Sequence, residues 1–331
     1  MGGRRTRLWG IVLAGGEGER LQSFVQEFLG SDAPKQFCAF LGARTMVEHT
    51  LRRAEAIIPR ERLLVVATAH HRRHVFASLA ARPPGTVLLQ PAGRDTGPGI
   101  LLPLVHVLHR DPRALVAILP SDHFILPGRR FMKAIAQAAA DLARHASESG
   151  DESIALLGIR PTDPEPEYGW LEPGPHVTSY GREPLRRILG FVEKPTAEHA
   201  IAMMAKGWLW NTMVVVAQAA SLMKLFYRAA PELAAYFSAL QRCIGSRLES
   251  AVLEEVYQLI PSMNFSSAIL ARHPEQLLVA PVGGVLWSDW GRQERILATL
   301  AHLGVARPHP VRMGASFNGT SGATALKRRE L

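Results

Sequence analysis

Cysteine is almost missing: Cys38 and Cys243 are the only two in 331 residues. That is too few for a disulfide framework or a multi-cysteine zinc site, and it suits a reducing compartment. Also missing is any unbroken apolar run approaching the roughly 20 residues that a membrane span requires. Arg4-Arg5-Thr6-Arg7 leads into an apolar segment without a signal-peptide cleavage pattern. These absences predict a cytoplasmic protein with no membrane partner. The formal charge is +9, but the basic residues, mostly arginine, are scattered along the chain. No basic stripe interleaved with aromatics marks a nucleic-acid surface, so no nucleic-acid partner is expected. A basic surplus equally suits substrates that are polyphosphates and sugar phosphates. Hexapeptide repeats and a second catalytic module are absent as well.

What the chain does have is a globular composition, 47% hydrophobic, and enough length for a sizeable core in one large domain or two. Its organising stretch is Trp9-Gly-Ile-Val-Leu-Ala-Gly-Gly-Glu-Gly-Glu-Arg-Leu21. Ile11 to Leu13 reads as a buried strand, and Gly15, Gly16 and Gly18 turn it sharply before Arg20. Closely spaced glycines let backbone N–H groups approach an anion, so the stretch reads as a phosphate loop, with an ordinary strand-to-helix turn as the plain alternative. It satisfies neither Gly-x-x-x-x-Gly-Lys-[Ser/Thr] nor Gly-x-Gly-x-x-Gly, which excludes a Walker loop and argues against a dehydrogenase.

Residues 22–33 read as a mobile flap closed by Pro34-Lys35-Gln36-Phe37. Helical periodicity is predicted over 45–58, 69–81, 97–108, 131–142, much of 221–259, and 292–303. Short apolar runs predict strands at 63–67, 87–90, 115–119, 154–159, 185–192 and 214–216, and a strand pair at 277–279 and 285–287. Strand and helix alternating at this spacing predict an α/β fold, a Rossmann-like, mixed but mainly parallel sheet with helices on both faces, whose ligands bind at the carboxyl ends of strands. Residues 161–175 form a proline-rich excursion carrying Tyr168-Gly169-Trp170. The catalytic domain is expected to span 1–303, and 304–331 to be a flexible basic tail. His70 and His74 have the i, i+4 spacing of metal ligands, but with no third ligand nearby in sequence a solvated helix start is the better reading.

Six segments lie in one order: the glycine loop, Pro34-Lys35-Gln36-Phe37, Arg94-Asp95-Thr96-Gly97-Pro98, Leu119-Pro120-Ser121-Asp122-His123, Phe191-Val192-Glu193-Lys194-Pro195 and Trp287-Ser288-Asp289-Trp290-Gly291. Together they resemble the sugar-phosphate nucleotidyltransferases over about residues 8–302. Gly158-Ile-Arg-Pro-Thr162 and Trp210-Asn211 add a similarity to the mannose-1-phosphate guanylyltransferase branch.

The resemblance implies transfer of a nucleotidyl group from a nucleoside triphosphate, with GTP the expected donor, to a hexose 1-phosphate, with mannose 1-phosphate the expected acceptor. It places Arg20, Lys35 and Asp122 in catalysis. Leu13, Ala14, Gly15, Gly16, Gly18, Arg20, Lys35, Gln90, Arg94 and Thr96 would bind the nucleotide. Gly169, Glu193, Lys194 and Asn211 would bind the sugar phosphate, and Asp122 and Asp289 would hold Mg2+ at the same edge of one sheet. A homodimer is left open.

Each residue also has a plain structural alternative: Asp122 as a turn or cap, Lys194 as a solvated charge, Asn211 as a turn former. The chain departs from the family at Glu19, where threonine is usual, at Gln90 and Asp95, at Thr212-Met213, and near Asn264-Phe265-Ser266-Ser267. Those departures bear on substrate identity, and they keep open a rival reading as a nucleotide-sugar-binding regulator without turnover.

Overall fold

Alternation along the first strand, Leu8–Leu13 (β1), divides the molecule. Leu8 and Val12 enter one apolar cluster, while Trp9 and Ile11 enter the other. Successive side chains of a strand point to opposite faces, so a sheet lies between two cores. The structure, a computed structural model, describes residues 7–178 and 183–305. The predicted tail, beyond Gly304 and Val305, lies outside them.

The other strands are β2 (Leu63–Thr68), β3 (Val87–Gln90), β4 (Leu115–Pro120), β5 (Phe124–Leu126), β6 (Ile154–Ile159), β7 (Gly169–His176), β8 (Arg186–Glu193), β9 (Leu209–Gln218), β10 (Leu277–Val282) and β11 (Leu286–Ser288). Nine of them form one sheet in the order β3-β2-β1-β4-β9-β6-β10-β8-β7, and β7 also pairs with β9. By the pairing pattern only β8 and β9 run against the rest. Helices Met46–Ala54 and Gly128–Ser149 contribute to one core; Thr96–Arg110, Ala219–Ala229 and Pro231–Cys243 contribute to the other. The mixed sheet with helices on both faces is as expected.

Three expectations need correction. Residues 22–33 are not a flap: Gln22–Leu29 is a helix whose Phe24, Val25 and Phe28 are buried. Phe24 stacks on Phe28 with centroids 4.9 Å apart, a contact worth about 0.5–1.5 kcal/mol beyond its area. The apolar residues at i, i+1 and i+4 are the reason, since they put one helix face on the core.

The predicted strand pair near 277–287 does not pair with itself. β10 lies in the main sheet between β6 and β8, whereas β11 forms a separate two-stranded ribbon with β5. The proline-rich excursion ends in a strand, β7, and the register shifts on either side of Pro173. A bulge leaves residues outside the ladder, which is where proline does no harm.

Candidate active site

The glycine loop is held open from behind. Gln36 Nε2 donates to the carbonyls of Ala14 at 3.0 Å and Gly16 at 2.7 Å, and Thr68 Oγ1 donates to the carbonyl of Gly15 at 3.0 Å. In a trans peptide the N–H points opposite to its carbonyl. The amides following those carbonyls are therefore what the loop offers an anion. Gly18 has φ 71°, and a Cβ on it would meet the backbone nitrogen of Lys35 at 3.2 Å, so both conformation and space require glycine there.

In front of the loop lies a cavity of about 260 Å³, lined by Leu13, Gly15, Gly16, Gln90, Arg94, Thr96 and Asp122 among the predicted residues. It opens at the carboxyl ends of β1, β3 and β4. Gln90 Oε1 accepts from the Tyr257 hydroxyl at 3.0 Å, and Arg94 donates to the Tyr257 carbonyl at 3.0 and 3.2 Å. Tyr257 thus fixes both side chains, and part of Arg94's charge is spent on the protein itself. Asp95 caps the helix Thr96–Arg110 and accepts from Asn264, so two of the departures from the family bond to each other. Ala14 is buried behind the cavity wall. Arg20 and Glu19 are exposed on a turn and are not among the lining residues.

Lys35 lies beside the cavity, 6% exposed, where three groups meet. Its ammonium is 2.8 Å from Asp122 Oδ2 and donates to the carbonyls of Asp289 at 2.6 Å and Trp290 at 3.2 Å. Burial opposes ionisation of Asp122, but Lys35 and His123 outweigh it and hold its carboxyl below the usual range. Burial likewise opposes ionisation of Asp289. His123, Arg295 and the Gly291 amide prevail there too. His123 itself is pushed below its ordinary value by burial, opposed by Asp122.

Asp289 Oδ1 accepts from Arg295 at 2.6 Å, Gly291 N at 2.8 Å and the Tyr168 hydroxyl at 3.1 Å. The two acids do come together, but not on one sheet: Asp122 follows β4, and Asp289 follows β11 in the ribbon. Pairing of Ser288 with Phe124 is what holds the two ends side by side.

The residues expected to bind the sugar form a second cluster. Gly169 pairs with Glu193 across β7 and β8, and a Cβ on Gly169 would lie 2.7 Å from Glu193 Oε2 and 3.3 Å from Asn211 Cβ. Burial raises the Glu193 carboxyl above its ordinary value, opposed by Lys194. Lys194 is exposed at φ 52°.

Asn211 sits at a bulge in β9, where Asn211 faces Gly158 and Val215 faces Leu156. Thr212 fills the bulge by donating to the Leu157 carbonyl at 2.7 Å. Met213, at φ 59°, is turned into the cavity in front of the glycine loop. One strand therefore carries a residue to each cluster.

The sequence profile of the nucleotidyl transferase family matches residues 9–303. The chain belongs to that family. It is similar to the mannose-1-phosphate guanylyltransferase ManC of Salmonella typhimurium, 28% identical over 307 residues that cover 90% of this chain and 61% of the relative. It is also similar to the alginate biosynthesis protein AlgA of Pseudomonas aeruginosa, 32% identical over 205 residues, covering 61% and 40%. The chain thus spans about three fifths or less of the length of these curated relatives. A solved structure titled mannose-1-phosphate geranyltransferase, from Thermus thermophilus, superposes with a TM-score of 0.73 at 29% identity, covering 88% of this chain and 80% of that one.

Within the family frame, sequence reasoning missed Gln36, which lines the cavity, and Thr68, Tyr257 and Arg295, which shape the site from behind. Gln36 carried a signal as a neighbour of Lys35, and Arg295 lies in the helix just after the Trp287–Gly291 motif. Thr68 and Tyr257 lie outside every motif. The spaced pair His70 and His74 is not brought together: His74 stacks on Phe37 at 5.8 Å and accepts from Arg73.

Proposed function

We propose that the protein transfers a guanylyl group from GTP to mannose 1-phosphate, giving pyrophosphate and GDP-mannose. The observation that carries this reading is the β9 bulge, which puts Met213 in the cavity at the glycine loop and Asn211 in the Gly169–Glu193 cluster. The two sites adjoin, as a direct transfer between two bound substrates needs. An oxygen of the sugar phosphate would attack the α-phosphorus, and the bond from that phosphorus to the bridging oxygen would break to release pyrophosphate. No nucleophilic side chain is required. The protein's work is to align two polyanions and offset their charge.

The loop amides would take the triphosphate, and Gln90, held by Tyr257, borders the space in front of Gly15. Lys35 would move from Asp122 towards the phosphates, while Glu193 would accept hydrogen bonds from ring hydroxyls and Lys194 would face the sugar's phosphate. The choice of guanine and mannose rests on the named activity of the Salmonella relative and on the Trp210-Asn211 and Gly158–Thr162 segments.

Magnesium fits the donors at hand. Asp122 and Asp289 are hard oxygen ligands, and one buried ammonium already stands where Asp122 Oδ2 and the Asp289 carbonyl converge. The place accommodates positive charge. A magnesium ion held there would supply further neutralisation of the phosphates.

Pyrophosphate release measured over a grid of nucleoside triphosphates and hexose 1-phosphates tests the proposal. GTP with mannose 1-phosphate should give the highest kcat/KM. A different best pair would overturn the substrate assignment, and binding of both substrates without release would favour the regulator.

A further inference from the structure

Among the described residues, outside those assigned so far, one group of side chains converges like metal ligands. Glu17, in the middle of the glycine loop, has Oε2 2.6 Å from His70 Nε2 and 3.3 Å from His71 Nε2. All three ligand atoms lie within 4.8 Å of one another. The two imidazoles sit on the turn Ala69–His71 that ends β2, whose parallel pairing with β1 brings this turn beside the loop. Their rings are 3.9 Å apart at 60°, so consecutive residues aim at one point. His71 is 5% exposed, packs edge-on against Phe37 at 6.1 Å, and its Nδ1 has no partner among the described residues.

We propose that Glu17, His70 and His71 form a site for a zinc-class divalent cation at the rim of the nucleotide cavity. Bonds of about 2.0–2.2 Å in a tetrahedron place ligand atoms about 3.4 Å apart. The His71–Glu17 distance already matches, and the His70–Glu17 distance needs to open by under 1 Å. Two imidazoles and one carboxylate leave a fourth position for water, and imidazole selects zinc, cobalt or nickel over magnesium. Glu17 Oε1 lies 3.2 Å from where a Cβ on Gly93 would stand, and Gly93 lines the cavity. The open position therefore borders the space in front of the loop, where a phosphate oxygen could replace the water. With Nδ1 of His71 unpartnered, the outer support that usually strengthens such sites is missing. Its loss typically costs 10–100-fold in affinity, so binding on the order of micromolar is expected rather than tighter.

The test uses the full chain stripped with a chelator, titrated with Zn2+ against a chromophoric competitor, and separately with Co2+ while its visible bands are followed. The proposal expects one site that excess Mg2+ does not displace. Glu17→Gln and His70→Ala, both at exposed side chains, should each weaken it at least tenfold and abolish the four-coordinate cobalt bands, while His74→Ala changes nothing. Absence of a micromolar site, or equal binding by wild type, Glu17→Gln and His70→Ala, would overturn the proposal and leave the cluster as a hydrogen-bonded brace for the loop. Neither readout requires turnover, so failure of the assigned reaction would not count against the metal site.

Discussion

On the side of the glycine loop, the site consists of strand-end loops whose shape is imposed by side chains reaching in from elsewhere: Gln36 and Thr68 hold the loop carbonyls, and Tyr257 holds Gln90 and Arg94. On the side of Gly169, the site is made of the strands themselves: Gly169 pairs with Glu193 across β7 and β8, and a Cβ on it would crowd both Glu193 and Asn211 of β9. The difference teaches where each half is vulnerable. A loop braced from behind keeps open space in front of Gly16, where an added Cβ would touch nothing within 4 Å. A site formed inside a sheet has no slack, because strand spacing sets the distance between facing side chains.

The largest effects should come where the halves meet. Asp122→Asn and Asp289→Asn should each lower turnover about 10³-fold, the size seen when one charge-stabilising group is lost, in a single-turnover pyrophosphate assay at limiting magnesium. The fold should survive both, because Lys35 keeps its two carbonyl acceptors and Arg295 keeps Glu165 and Glu167. Near-normal turnover of either variant would remove that acid from the site.

Next in size is a reciprocal pair. A Cβ on Gly15 would lie 2.7 Å from Gln90 Nε2, and Gln90 is anchored by Tyr257 and cannot swing aside. Gly15→Ala should therefore raise KM for the nucleotide about tenfold, or about 1.4 kcal/mol, and leave KM for the sugar phosphate alone. Gly169→Ala, crowding Glu193, should do the reverse. Equal changes in both constants for either variant would show that the two halves are not separable. Lys194→Ala should likewise raise KM for the sugar phosphate severalfold with no change in melting temperature, since Lys194 is exposed and its side chain packs on no core.

The same division governs what was legible in the sequence. The loop half lies at the carboxyl ends of β1, β3 and β4, each a short run of branched apolar residues, and the rule for such ends located Gly15, Gln90 and Asp122. The sheet half depends on pairing between distant strands. β7 contains Pro173 and Pro175, which disguise it as a loop, and β5 is three residues long. The β9 bulge that brings Met213 to the cavity while Asn211 stays beside Gly169 has no signal in a single chain, because a bulge is a relation between two strands. Glu17 was unreadable as a partner of His70 for a similar reason: the parallel pairing of β1 and β2 brings together residues that sequence spacing keeps apart.

The smallest predicted effect bears on the sheet half alone. Burial among the β7, β8 and β9 residues raises the Glu193 carboxyl above its ordinary value, and Lys194 only partly offsets this. With the folded-state pKa raised, the unfolded chain releases this proton first. The group's contribution to stability is complete below the ordinary glutamate pKa and is lost as pH rises through the folded-state value. Above that range, burial of the charge is a cost to the folded state, which the proposed hydrogen bonds to sugar ring hydroxyls would explain. Glu193→Gln keeps the shape and removes the charge, so it should raise the melting temperature at pH 7 by roughly 1–3 °C and leave it unchanged at pH 4. The same variant should bind the sugar phosphate more weakly, because a neutral amide accepts hydrogen bonds from ring hydroxyls less strongly than a carboxylate. Melting curves at the two pH values, read beside KM for the sugar phosphate, check both statements. A lower melting temperature at pH 7 would mean that Glu193 holds the β7–β8 pair together, and the contrast between a braced loop and a strained sheet would fail at the residue chosen to represent it.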